Sequence, residues 1–232
     1  MHSGESRWWY QARTFGIRRV LKYFKAHDER ICDVGAGYGA MCPTLKAFGH
    51  TTAFEPDEII RKQCEGNCDA VFGSGDLSEL VKRDGGRFTL VTLLDVVEHV
   101  ENDHEFLQQV EKLLSPGGHV LVTVPAYMAL WSELDVDNKH FRRYNKKQIV
   151  DVLKKAGFEI TYASYWNMMI AIPAFVVRRG AGKGGYAILK MPRWLDYIFL
   201  TWVRLETYFM PRVSLPFGTS IFVYARKLSD IR

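Results

Sequence analysis

The segment ICDVGAGYGAM, Ile31 to Met41, sets Asp33 two residues ahead of Gly35, with Gly37 and Gly39 following at alternate positions. Glycines in that pattern mark a tight turn from a strand into a helix, where backbone amides can close on a ligand. Gly35, Gly37 and Ala40 loosely meet the spacing of a dinucleotide-binding turn, so the glycines alone leave the ligand open. Asp33 discriminates. At the end of its strand it faces the ligand crevice, where a carboxylate repels a pyrophosphate and attracts a cation. The ammonium and sulfonium of S-adenosylmethionine are the ligand chemistry that fits.

Two further acids fall where such a ligand would extend. Glu55 in TTAFEPD, followed by Pro56, ends the next strand, where a carboxylate can accept both ribose hydroxyls. A nicotinamide dinucleotide would use the same acid. GSGDLSEL then supplies Asp76 to accept the adenine amino group and Leu77 to cover the ring, while Asp76 can also cap the helix that follows.

Methyl transfer from a sulfonium needs little more than an acceptor held at attack distance in a dry site, and a hydroxyl acceptor also needs a base. DVVEHVEND, after the fourth strand, offers His99 as that base. Asp95, Glu98 and His99 would be the ligand set for a divalent metal, which is not expected. LWSELDVDNKHFRRYN adds Trp131, Asp135, His140, Arg143 and Tyr144: an aromatic wall, an acid, a second base and a cation, suited to a polar ring or an anionic acceptor.

These residues must be held by short apolar runs alternating with amphipathic segments, the pattern of an α/β domain with a mainly parallel sheet. Strands are expected at Ile31 to Val34, Thr51 to Phe54, Ala70 to Phe72, Phe88 to Leu94, His119 to Val124, Phe158 to Tyr165 and Ile221 to Arg226. Helices are expected at Ala40 to Phe48, Asp57 to Cys64, Leu77 to Lys82, Asp103 to Leu114 and Lys146 to Ala156, with Asn145 capping the last. A basic, aromatic helix, Arg7 to Lys25, precedes the first strand. Two more, Asn167 to Arg179 and Trp194 to Met210, joined by RRGAGKGG, interrupt the last strand pair.

The 232 residues, 47% hydrophobic and 25% charged, suit one globular domain. We divide it into a helical extension (1–29), a cofactor-binding core (30–165), a helical substrate cap (166–216) and a last strand with its tail (217–232). The net charge of +5 is dispersed among acids, and no element for a flipped base is present, so nucleic acid is not expected as substrate. Cys32, Cys42, Cys64 and Cys68 form no CxxC pair and read as reduced packing thiols. No signal-peptide core opens the chain, which suits a cytoplasmic protein. Trp8, Trp9, Trp166, Trp194 and Trp202, with neighbouring Arg and Lys, leave peripheral membrane contact open.

The elements ICDVGAGYG, FEPD, SGDL, TLLDVVEHV and LLSPGGHVLVTVP resemble, in order and spacing, the motifs of class I S-adenosylmethionine-dependent methyltransferases, and DVVEHV looks most like the branch that includes the quinone-biosynthesis O-methyltransferases. The C-terminal part is similar to uncharacterised bacterial members. That resemblance implies a Rossmann-like, doubly wound sheet of seven strands in the order 3-2-1-4-5-7-6, strand 7 antiparallel. It also implies that Asp33, Gly35, Gly37 and Gly39 hold the methionine part, Glu55 the ribose, Asp76 and Leu77 the adenine, and that Leu94 and Asp95 floor the reactive methyl. In the relatives the positions of Asp95, Glu98 and His99 are associated with magnesium, and this chain has Asp95 where they carry Glu. The expected reaction is methylation, at oxygen, of a small-molecule or lipid-linked acceptor, leaving S-adenosylhomocysteine. A nicotinamide-dependent oxidoreductase and a non-catalytic interaction protein are the alternatives.

Overall fold

The computed structural model describes residues 7–73, 76–172, 175 and 193–228. Seven strands form one sheet in the order β3-β2-β1-β4-β5-β7-β6: β1 (Glu29–Val34), β2 (Gly49–Phe54), β3 (Ala70–Phe72), β4 (Phe88–Leu94), β5 (Leu114–Pro125), β6 (Phe158–Trp166) and β7 (Ser220–Lys227). β1 pairs in parallel with β2 and β4, whereas β7 runs antiparallel to both β5 and β6. The expected order and sense are those observed.

The central strands are apolar on both faces because helices cover both. Along β1 and β4, Ile31, Leu90 and Leu94 enter one core, and Val34, Val91 and Leu93 enter the other. β7 divides likewise, Phe222 and Tyr224 against Ile221, Val223 and Ala225, as the two-residue repeat of a strand requires. The layer over Val34 and Val91 holds α4 (Leu77–Asp84), α5 (Asp103–Leu113) and α7 (Lys146–Lys155), with Leu80, Leu107, Val110 and Ile149 fully or nearly fully buried. Asn145 caps α7 by accepting from the Gln148 amide at 2.9 Å.

The opposite layer is built by α1 (Arg7–Tyr23) and, after the described helical turn at residues 168–172, α8 (Arg193–Phe209). Residues 173, 174 and 176–179 of the expected helix Asn167 to Arg179, the RRGAGKGG link and the side chains of Trp8 and Trp194 lie outside what is described. α1 lies close enough to the sheet that a Cβ on Gly16 would stand 2.9 Å from Cζ of Phe222. Arg19 donates to the Met210 and Tyr208 carbonyls at 2.9 and 2.8 Å, satisfying the open C-terminal end of α8. Val203 and Met210 are fully buried in this core, so α8 is part of the fold's second layer as well as of the interrupting segment.

Three expectations are corrected. The helix read over Ala40 to Phe48 contracts to α2 (Cys42–Leu45), because the glycine turn occupies residues up to Met41. β5 starts at Leu114, upstream of His119, since a register shift between Phe88 and Leu90 lets the Ser-Pro-Gly-Gly stretch stay within the strand. Cys42 and Cys68 are disulfide-bonded rather than reduced: α2 comes back against the link from α3 (Glu58–Cys64) to β3, which sets their Cα atoms 5.2 Å apart. Cys64 is free, with Sγ 3.4 Å from that of Cys68.

Phe222 is fully buried and packs edge-on against Trp166 at 5.1 Å as well as under α1. Phe222→Ala should cost ~3–5 kcal/mol, read as a lower midpoint in urea unfolding.

Candidate active site

The carboxyl ends of β1, β2 and β4 converge on the glycine turn. Gly35, Gly37 and Gly39 all have positive φ, between +57° and +71°, which glycine alone adopts without strain. A Cβ on Gly35 would stand 2.8 Å from Val96, and one on Gly39 2.6 Å from the sulfur of Cys64. At Gly37 nothing lies within 4 Å, so there the turn faces open space.

Glu55, buried at the end of β2, accepts from the Gly37 and Asp57 amides at 2.9 and 3.0 Å. It thereby fixes the middle of the turn while half of its lone-pair sites remain for a ligand. Asp33 is 2% exposed and accepts from the Thr92 hydroxyl at 2.6 Å. Burial pushes its pKa up to about 6, against the opposing effects of that hydrogen bond and of Arg13. A desolvated carboxylate beside an open glycine turn has the chemistry to answer a cation, which fits an adenosyl ligand carrying ammonium and sulfonium.

Asp76 caps α4 by accepting from the Ser78 amide at 2.9 Å, and Leu77 is buried behind it. Pro56 is exposed on the same rim. Leu94 is buried at the end of β4, and Asp95, at φ +58°, pairs with Arg13 at 3.1 Å and accepts from the Thr123 hydroxyl at 2.8 Å. Tyr127 and Asn167, just beyond β5 and β6, also have positive φ, so sparsely populated backbone recurs along this one edge of the sheet.

Past Asp95 the 3-10 turn Val97–His99 buries Glu98 completely and leaves both its carboxylate oxygens without a hydrogen-bond partner. Burial, then the charge of Asp95, pushes its pKa well above the usual range. His99 meets His140 edge-on at 4.5 Å. Partial burial and the facing imidazole lower the His99 pKa, which favours its neutral form. The ligand atoms of Glu98, His99 and His140 lie within 4.8 Å of one another. Of the candidate set Asp95, Glu98 and His99, Asp95 is engaged by Arg13 and Thr123, and it is His140 that lies with Glu98 and His99.

The loop after β5 is organised by Asp135, fully buried in the short helix α6 (Glu133–Asp137). Arg143 donates to it twice, at 2.7 and 2.9 Å, and Nδ1 of His140 lies 2.9 Å away. Burial would raise the Asp135 pKa, but the bonds from His140 and Arg143 outweigh it and hold the group below the carboxylate range. With Nδ1 so engaged, Nε2 is the free nitrogen of His140. Tyr144, also buried, donates to Asp103 at 2.7 Å. Asp135, Arg143 and Tyr144 are thus committed to the protein itself, whereas Trp131 is partly accessible and exposed Met128 and Phe141 stand near it in the chain.

Thr92, Thr123 and Arg13 escaped the reading of the sequence. Their signal was faint: each threonine is a lone hydroxyl in a buried strand, which must find a partner. Nothing local to α1 points Arg13 at Asp95.

A family model described as a methyltransferase domain matches residues 8–163. A ubiquinone biosynthesis O-methyltransferase of Maricaulis maris is 33% identical over 95 residues, 38% of this chain and 37% of that protein. A probable S-adenosylmethionine-dependent methyltransferase of Mycolicibacterium smegmatis is 24% identical, over 67% of this chain and 61% of its own. These matches span less than two thirds of either relative's length. Among solved structures, a SAM-dependent methyltransferase from Archaeoglobus fulgidus superposes with a TM-score of 0.60 at 18% identity, covering 94% of both chains. Magnesium protoporphyrin IX methyltransferase from Synechocystis, with bound SAH, gives 0.57 at 14% identity over 94% of this chain and 84% of that one. Likeness at such identity is a likeness of fold.

Asp33→Asn separates stability from ligand binding. An unfolded aspartate loses its proton near ~3.9, the folded one near about 6, so between these values the native state binds more protons and stability falls as pH rises. The variant, unable to ionise, should be more stable than the wild type by ~1–3 kcal/mol near neutrality in thermal unfolding without ligand. Calorimetric titration should show adenosyl-ligand affinity down roughly tenfold to a hundredfold. The wild type's affinity should fall on acidification through about 6, and that of the variant should not.

Gly37→Val should abolish adenosyl-ligand binding with the circular dichroism spectrum unchanged, since the side chain enters the turn's open side at φ +57°. Retained affinity in a folded variant would place the ligand elsewhere.

Proposed function

The chain belongs to the methyltransferase domain family, and on that premise we propose that it moves the methyl group of S-adenosylmethionine to a hydroxyl oxygen of a small-molecule or lipid-linked acceptor. The observation that carries the oxygen assignment is the pair of facing imidazoles, His99 and His140, at the rim beyond Asp95, with Asp135 holding His140 by one nitrogen. An imidazole so oriented can take the acceptor's proton as the oxygen–methyl bond forms.

The other assignments follow the geometry. Asp33 and the amides of the turn hold the amino-acid end, and Glu55 offers its remaining lone pairs to the ribose hydroxyls. Asp76 has a carboxylate oxygen left for the adenine amino group, over Leu77. Arg13 steadies Asp95 at the methyl-proximal end, and Trp131 lines the acceptor's side. When bound, S-adenosylmethionine supplies a methyl group on a sulfonium and leaves as a neutral thioether. We assign acceptor choice to the segment between β6 and β7 together with the loop that carries His140. The similarity to ubiquinone biosynthesis O-methyltransferases favours an oxygen acceptor on a ring.

A divalent cation would be held by Glu98, His99 and His140, where the unpartnered Glu98 carboxylate fits one, and would lower the cost of a negative acceptor oxygen.

The test is release of S-adenosylhomocysteine on a panel of catechols and polyprenylated phenols. His99→Ala and His140→Ala should each lower turnover by ~10²–10⁴ with adenosyl-ligand affinity nearly unchanged. Activity lost to chelator and restored by magnesium would assign the imidazoles to a metal; insensitivity would assign them to proton removal. Wild-type turnover in both variants would remove them from the reaction.

A further inference from the structure

α8 is apolar on the side that should face water. Its inner positions, Val203, Thr207 and Met210 beyond its end, are buried in the second core layer. Its outer row, Ile198, Trp202, Leu205 and Phe209, repeats at i, i+4, i+7 and i+11, and each residue is 44–50% exposed. Tyr197 and Tyr208 flank that row and are more exposed still, at 71% and 63%. A helix apolar on both faces needs cover on both.

Among the described side chains of α1 and α8, the exposed charges beside this row have one sign. Arg204 lies over Phe15 of α1 at 4.5 Å and Arg212 over Tyr23 at 5.6 Å, with Arg18, Lys22 and Lys25 exposed along and just beyond α1. Among the described side chains of α1 and α8 the only carboxylate is Glu206, which is buried and accepts from the Met168 amide. A symmetric dimer through this face would set the cations against their own copies, because a two-fold interface repeats the same patch on both sides. An anionic bilayer surface supplies both missing partners: apolar volume for the outer row, and phosphates for the arginines and lysines.

We propose that the outer face of the α1–α8 pair is a membrane-docking surface that lays the protein on an anionic lipid leaflet. No described helix is long and apolar enough to cross a membrane, so the contact is interfacial. It stands independently of the transfer reaction.

The test is sedimentation of the full chain with vesicles of phosphatidylcholine alone and of equimolar phosphatidylcholine and phosphatidylglycerol. The wild type should pellet with the mixed vesicles and less with the neutral ones. Trp202→Ser with Leu205→Ser, at exposed positions of the outer row, should weaken partitioning by about tenfold or more with the circular dichroism unchanged. Arg18→Glu with Lys22→Glu should reduce binding to the mixed vesicles and leave the neutral ones as they were. A wild type that stays in the supernatant with both vesicles overturns the proposal. So does unchanged partitioning of the serine variant, and so does a dimer in analytical ultracentrifugation that the serine pair dissolves while vesicles bind neither protein.

Discussion

Carboxyl groups kept from water are the constraint around which the ligand edge of this molecule is arranged. Asp33, Glu55 and Glu98 are all buried, and together with Asp95 they lie at one edge of the parallel sheet. Each costs folding energy unless something answers it. Thr92 answers Asp33, two backbone amides answer Glu55, and Arg13 with Thr123 answers Asp95. Only Glu98 is left without a hydrogen bond. The strand order brings these groups to one edge, α1 delivers Arg13 to it, and the glycine turn lies beside it. A cationic cofactor is the natural relief for such an edge.

The same economy governs the loop after β5. Arg143 and His140 meet at a single buried carboxylate, and Ser132 closes a capping box on it, so the loop has one arrangement in which Asp135 is satisfied. That is why a stretch rich in polar side chains, which by composition suits a solvated acceptor site, turns inward. What the loop fixes is the orientation of the His140 ring.

Much of the fold was legible because strand signals are local: apolar runs bounded by Gly, Asn and Asp placed all seven strands, and the resemblance gave their order. The glycine turn was legible for a chemical reason, since Asp33 at its head decides between a phosphate and a cation. What escaped was whatever depends on distant partners. That Cys42 meets Cys68, or that Arg13 crosses to Asp95, is settled by how α2 and α1 dock, and no spacing along the chain carries it. Asp135 and Arg143 were visible as residue types, but which one faces a substrate and which faces its neighbour is a matter of burial. Of the outer row of α8 only Trp202 was legible, as a candidate for membrane contact; Ile198, Leu205 and Phe209 were not, because an apolar helix reads as core until a structure leaves one side of it uncovered.

α1 has two working sides. One sends the Tyr10 hydroxyl to the Ala40 carbonyl and Arg13 to Asp95, at the ligand edge; the other carries Phe15, Arg18 and Lys22 outward. A helix is only ~10–12 Å across with its side chains, so whatever rests on the outer side is one helix thickness from the place where a methyl group would leave. With the protein docked as proposed, an acceptor tethered by a long hydrocarbon tail would reach that place by lateral diffusion within a leaflet. The search becomes two-dimensional, and the tail never has to enter water.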